Sequence, residues 1–323
     1  MKFNSSKMFF FAFMIVGVMM CISTNNWIMI WCGLEIVLVS FMPLMISKMI
    51  LSSESSMKYF LVQSISSAML ILGLMLMLMN ENFNKALVTL AITLKMGVAP
   101  LHTWLISITE GLTFNSNMIL LTLLKLPPIT MMTYINTSMM MIAMITILVG
   151  SLSGLIQPST RKLMAYSSIF NIGLILSCMK QNMTWLTYFL IYSILILIVM
   201  NFMSKMNMNY LNQMIINDKS LGLNISMWFF LLSMGGLPPL MGFTIKLMVI
   251  EFMISKMMIL NLILIIACSL LVMFFYMRIT FLALMFLSSK LKPNLNNSST
   301  MSTNLSLINL MTLPLILTMK SLT

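Results

Sequence analysis

ITLKMGVAPLHTW, residues 92–104, decides the fold. It is an apolar helical stretch that carries a lysine, Lys95, and then breaks. Pro100 removes a helical N–H and clashes with the carbonyl one turn back, and Gly97 adds local freedom. A broken helix in apolar surroundings is tolerated only where protein or water serves the freed backbone groups. The theme returns in SMGGLPPLMGFTIK, 233–246, where Gly235, Gly236, Pro238 and Pro239 interrupt an apolar run before Lys246. Two Gly/Pro-interrupted spans in corresponding halves of a chain point to an inverted-repeat transporter core.

The surrounding sequence is membrane-like throughout. Hydrophobic residues make up 60% of the chain and charged residues 7%, with a mean hydropathy of +1.03. Soluble domains carry roughly 25% charged residues, so no water-facing surface can be made here. With about 20 apolar residues needed per span, the 323 residues predict an all-α polytopic membrane protein of about eleven transmembrane helices. The expected spans are 8–22, 27–46, 57–79, 86–106, 116–135, 138–156, 162–178, 184–204, 224–253, 258–287 and 304–318. The first follows Lys2 and Lys7 like a signal peptide, but no small-residue cleavage site is evident, so it reads as an uncleaved span. We expect a single membrane domain over 1–323. Repeat A covers about 8–135, an inverted five-helix repeat B about 138–287, and a C-terminal helix about 304–318. The fourth and ninth spans are the broken pair.

Several chemistries are excluded. Cys21, Cys32, Cys178 and Cys268 lie in apolar stretches without CxxC spacing. His102 is the single histidine, and no GxGxxG or Walker pattern occurs. The chain therefore shows no means of binding a nucleotide, a metal or a redox group. The 43 methionines fit an AT-rich organelle genome that reads ATA as Met.

The net charge of +12 is not a nucleic-acid footprint, because its bases are scattered singly. Loop by loop, one side collects Lys2, Lys7, Lys48, Lys58, Arg161, Lys162, Lys205, Lys219, Lys290 and Lys292. The other collects Lys85, Lys180, Lys256 and Lys320. By the positive-inside rule the N-terminus lies on the positive side, and an odd span count puts the C-terminus opposite. Left over within spans are Lys95, Lys125, Lys246, Arg278, Glu35 and Glu251. A mid-bilayer charge costs roughly 2.5–3.5 kcal/mol on insertion scales, and such residues normally mark ion pathways. Snorkelling of a long side chain to the interface is the competing reading for Arg278 and for Lys125, and the roles of Arg278 and Glu251 stay open. His102, beside the first break, is a candidate proton relay or orienter.

Six motifs in fixed order carry a family resemblance: WCGLEI at 31–36, LKMGVAPLHTW at 94–104 with EGL at 110–112, LKLPP at 124–128, IQPSTRKLMAYSSI at 156–169, GGLPPLMGFTIK at 235–246 and FFYMRI at 274–279. Together they resemble the mitochondrially encoded, antiporter-like chain 2 subunits of NADH:ubiquinone oxidoreductase, respiratory complex I. The resemblance implies a proton-translocating subunit of the mitochondrial inner membrane, with the N-terminus on the matrix side and the C-terminus on the intermembrane-space side. It implies proton-relay roles for Glu35, Lys95, Lys125 and Lys246. It also implies that NADH, FMN, iron–sulfur clusters and ubiquinone are bound by partner subunits, with neighbouring antiporter-like subunits and lipids around this chain. Asn171 departs from the pattern, standing where the family usually has a histidine. Asn carries no proton near neutral pH, so either water or Tyr166 substitutes there or the proton route differs in this chain. Leu101 and Thr103 stand where aromatic residues are more usual.

Burial disfavours a charge and an opposite charge favours it, so a Glu35–Lys95 pair that opens and closes is expected to act as a proton switch. Two other readings compete. A stand-alone cation/proton antiporter would need a carboxylate-rich cation site. A non-catalytic scaffold would use buried charges only to fix helix register.

Overall fold

The computed structural model describes residues 5–47, 49–79, 85–135, 139–213, 221–287 and 309. The expected C-terminal span 304–318 lies outside the described residues apart from Asn309, as do Lys2, Lys48, Lys219, Lys290, Lys292 and Lys320. The described residues are helical almost throughout and form two compact units, Met1–Ile142 and Ala143–Thr323.

The first unit contains α1 (Ser5–Ser23), α2 (Trp27–Met45), α3 (Ile50–Met79), α4 (Lys85–Met96), α5 (Thr103–Gly111), α6 (Phe114–Leu121) and α7 (Leu126–Ile135). α1 and α2 pack backbone to backbone. A Cβ on Gly17 would sit 2.9 Å from the Gly33 carbonyl, and one on Gly33 would sit 2.6 Å from Cys21 Sγ. Small residues allow this approach, which drives helix association where lipid offers no hydrophobic gain. It fixes the helix that carries Glu35.

α3 starts seven residues earlier than the expected 57. The polar run SSESSMK joins the helix because Ser52, Ser53, Ser55 and Ser56 each donate to the carbonyl three residues back. Lys58, expected in a loop, lies in this helix and pairs with Glu54 one turn away.

The fourth span breaks as expected, between α4 and α5. The fifth, expected as one span over 116–135, is also broken. A 3-10 turn, Leu123–Lys125, separates α6 from α7. Pro127 and Pro128 explain it, since neither has an N–H. The Leu123 carbonyl is served by the Leu126 N–H through a 3-10 bond. Leu124 finds proline at both i+3 and i+4, so its carbonyl has no helical donor.

The second unit contains α8 (Met140–Gly154, beginning at the unit boundary), α9 (Thr160–Ser177), α10 (Asn182–Met206), α11 (Leu221–Gly235), α12 (Met241–Ser255) and α13 (Ile259–Leu287). α9 is buried at every position from Leu163 to Ser177. Glycines let α8 approach it closely: a Cβ on Gly150 would lie 2.6 Å from the Phe170 nitrogen, and one on Gly173 would lie 2.5 Å from Thr146 Oγ1.

Among the described residues, six helical segments are long and apolar enough to cross a bilayer: Ser5–Ser23, Trp27–Met45, Ile50–Met77, Phe114–Ile135, Asn182–Met206 and Ile259–Phe281. The chain is a multi-pass membrane protein. The expected count of eleven is not matched by these six: the spans expected at 86–106 and 224–253 are broken into shorter helices, and 304–318 lies outside the described residues apart from Asn309.

Candidate functional site

Both expected breaks have one backbone design. At the first, the Val98 N–H bonds the Thr93 carbonyl at 3.1 Å and the Gly97 N–H bonds that of Leu94 at 3.1 Å. At the second, the Leu237 N–H bonds the Leu232 carbonyl at 3.3 Å and the Gly236 N–H bonds that of Ser233 at 3.0 Å. Each is a Schellman cap, which needs a left-handed residue after the helix. Gly97 has φ +71° and Gly236 φ +82°, conformations that glycine adopts without a Cβ penalty. Three residues after each glycine comes a proline in a cis peptide, Ala99–Pro100 and Pro238–Pro239.

In the first unit, side chains donate to two carbonyls beside the break, one of them already bonded within the cap. Trp104 Nε1 donates to the Leu94 carbonyl at 3.0 Å, and Gln63 Nε2 donates to that of Lys95 at 3.4 Å. Lys95, only 7% exposed, makes no hydrogen bond or ion pair within 4.0 Å to the described residues. It lines a cavity of about 30 Å³ together with Lys125, Tyr59, Gln63, Trp104 and Leu124. The cavity is roomy enough for ordered water, with Lys95, Lys125, Tyr59 and Gln63 as polar partners.

Glu35 is not among the residues lining this cavity. It lies within electrostatic range of Lys95 and of Tyr59. The expected Glu35–Lys95 pair is therefore an interaction at a distance, not a contact ion pair. Glu35 Oε1 is buried and bonds no described residue, as is Trp31 Nε1 one turn earlier on α2. His102 sits at the N-cap of α5, where its Nδ1–H donates to the Pro100 carbonyl at 3.1 Å. It is not among the residues lining the cavity.

Lys246 belongs to the second unit. Its Nζ donates to the Gly235 carbonyl at 2.5 Å and stands 5.6 Å from the centre of the Phe170 ring. Asn171, next to Phe170, donates from Nδ2 to the Ser167 carbonyl at 2.8 Å and accepts the Tyr188 hydroxyl at 2.6 Å. Tyr166, expected to stand in for the family histidine, does not meet Asn171. Five residues apart on one helix, the two side chains point about 140° away from each other.

Tyr59, Gln63 and Trp104 were not singled out from the sequence. Tyr59 and Gln63 stand four apart on α3, so a polar pair on one face of an apolar helix was the available signal.

The chain matches the NADH:quinone oxidoreductase/Mrp antiporter transmembrane family over residues 24–272. It is 37% identical to the NADH-ubiquinone oxidoreductase chain 2 of Anopheles gambiae, covering 90% of this chain and 91% of that one. With the same subunit of Aedes aegypti the identity is 36%, over 94% and 93%. In fold it is similar to a chain of respiratory complex I from Thermus thermophilus, with a TM-score of 0.84, 18% identity and coverage of 96% and 77%. It is likewise similar to a chain of a Dietzia Mrp complex, with a TM-score of 0.76, 18% identity and coverage of 84% and 59%. The chain belongs to the NADH:quinone oxidoreductase/Mrp antiporter membrane-subunit family, among the NADH-ubiquinone oxidoreductase chain 2 proteins.

Proposed function

We propose that this chain is a core membrane subunit of respiratory complex I that contributes to proton translocation across the mitochondrial inner membrane. Electron transfer from NADH to ubiquinone drives it from other subunits, which hold the NADH, FMN, iron–sulfur and ubiquinone sites. Its N-terminus lies on the matrix side and its C-terminus on the intermembrane-space side. Neighbouring antiporter-like subunits and lipids surround it. The observation that carries this reading is the wet-sized cavity shared by Lys95 and Lys125 beside a broken helix.

A proton leaves the Lys95 ammonium for a cavity water, an O–H bond forming as the N–H bond breaks. A second O–H of the same water then gives up its proton to the neutral Lys125 amine. Two amines on one cavity wall exchange protons as a set. Glu35 acts from a distance, since a nearby carboxylate offsets the cost of a buried ammonium. Lys246 performs the corresponding transfer in the second unit, and His102 holds the turn after the first break.

Lys95→Met and Lys125→Met are expected to abolish proton translocation in an assembled complex. The measurement is protons moved per NADH oxidised in reconstituted vesicles. A normal ratio in both variants would overturn the reading and favour the scaffold role.

A further inference from the structure

The half-helix that carries Lys246 begins without a cap of its own. A helix leaves its first N–H groups without an intrahelical partner, and apolar surroundings offer no water to serve them. A polar side chain at the N-cap position usually supplies an acceptor. At α12 that position is Leu240, which is 3% exposed and makes no side-chain cap bond. The acceptor comes instead from 68 residues further on: Asn309 Oδ1 takes the Met241 N–H at 3.1 Å. Asn309 is the one described residue beyond Leu287, lies in the same compact unit, and is 1% exposed.

The turn that Asn309 caps is the one that places Lys246. The Leu240 N–H bonds the Leu237 carbonyl at 2.9 Å and the Phe243 N–H bonds that of Leu240 at 3.0 Å, so the chain winds directly from the break into α12. Lys246 follows Met241 by five residues, on the second turn, and its Nζ reaches back over the break to the Gly235 carbonyl at 2.5 Å. A bond from the second turn of α12 to the last residue of α11 holds only while the first turn of α12 keeps its place. Asn309 therefore bears on Lys246 through the α12 backbone. The first corner is tied differently, by Trp104, which stands within the corner itself.

The residue type suits the task. An amide oxygen accepts a hydrogen bond and takes up no proton near neutral pH. An asparagine can thus hold a helix start beside a lysine that exchanges protons without changing its own charge.

We propose that Asn309 is a positioning residue for the second lysine: it caps α12 from the C-terminal stretch of the chain and so keeps Lys246 at the Gly235 carbonyl, the position from which it exchanges its proton. The C-terminal stretch thereby takes part in proton translocation although it brings no proton-carrying group to this corner through Asn309. The inference rests on the proton-translocating reading above.

Variants of the assembled complex test it. Asn309→Leu keeps the approximate volume and removes the acceptor. It is expected to lower the protons moved per NADH in reconstituted vesicles as well as the melting temperature. Asn309→Asp retains an acceptor suited to a helix start and is expected to restore the ratio. A merely structural cap predicts a lowered melting temperature for Asn309→Leu with the ratio of the assembled enzyme unchanged, and that outcome overturns the proposal. Equal losses of the ratio in the Leu and Asp variants overturn it too, since the acceptor would not be what matters. If Asn309→Leu fails to assemble, an experimental structure of the assembled unmodified complex decides. Asn309 Oδ1 is expected within hydrogen-bond distance of the Met241 nitrogen, with Lys246 on the Gly235 carbonyl; a Met241 N–H served by another group sinks the proposal. A normal ratio in Asn309→Leu alongside a lowered one in Lys246→Ala rejects the role of Asn309 and leaves the subunit's function standing. Normal ratios in both reject the function as well.

Discussion

The two broken helices share a backbone and differ in what their lysines do. In both, a Schellman cap closes on a left-handed glycine and a cis proline follows three residues later. In the first, Lys95 stands two residues before Gly97, and neutral side chains, Trp104 and Gln63, donate to the Leu94 and Lys95 carbonyls. In the second, Lys246 stands ten residues after Gly236 and itself serves the Gly235 carbonyl. A lysine relieved of structural bonds can give up its proton without disturbing the corner beside it. A lysine that is also a cap ties its proton to the corner's geometry.

The largest expected effect tests the packing of the second corner. A Cβ on Gly242 would lie 1.5 Å from the Ser233 carbonyl. Gly242→Ala must therefore move backbone, and assembled complex on native gels is expected to fall to a small fraction of normal. Normal assembly would mean that α11 and α12 do not meet this way.

The lysines come next. Lys246→Met is expected to lower both proton translocation and the melting temperature of the assembled complex, because the Gly235 carbonyl loses its donor. Lys95→Met is expected to abolish translocation without lowering the melting temperature. Lys246→Arg keeps the charge and should be milder than Lys246→Ala; equal losses would assign Lys246 to geometry rather than charge. Equal melting temperatures for the Lys95→Met and Lys246→Met variants would remove the distinction between the corners.

The glycines sharpen it further. Alanine at either left-handed position costs about 1–2 kcal/mol. At Gly236 the new Cβ would lie 2.7 Å from Lys246 Nζ, and at Gly97 it would lie 2.9 Å from Leu105 Cδ1. Gly236→Ala is thus expected to dislodge the lysine and reduce translocation beyond its effect on stability, whereas Gly97→Ala destabilises only. Trp104→Phe should have the smallest effect, a loss of about 1 kcal/mol, read as a modest drop in melting temperature.

Both corners were legible in the sequence because their causes are local. Gly97 with Pro100, and Gly236 with Pro239, dictate cap and turn within a few residues. The break before Leu126 was missed although Pro127 and Pro128 were in view. Prolines in a first helical turn are well tolerated, so a hydropathy window reads straight through them. Their effect appears only when the donors available to Leu124 are followed one by one. The lysines were legible as charges in apolar helices. Their partners were not, because Gln63 lies 32 residues from Lys95 and the residues around Asn171 come from three helices. Spacing along one chain segment carries no information about such meetings. The same limit explains Tyr166, whose nearness to Asn171 in sequence did not become nearness in space.

The Trp104 bond to Leu94 spans ten residues and crosses the first break from α5 to α4. Its consequence is mechanical. Two half-helices joined by a glycine alone would form a hinge, but an indole stitched across the gap makes the joint a bracket. The corner that holds Lys95 is thus cross-braced by a side chain and does not rest on Gly97 alone.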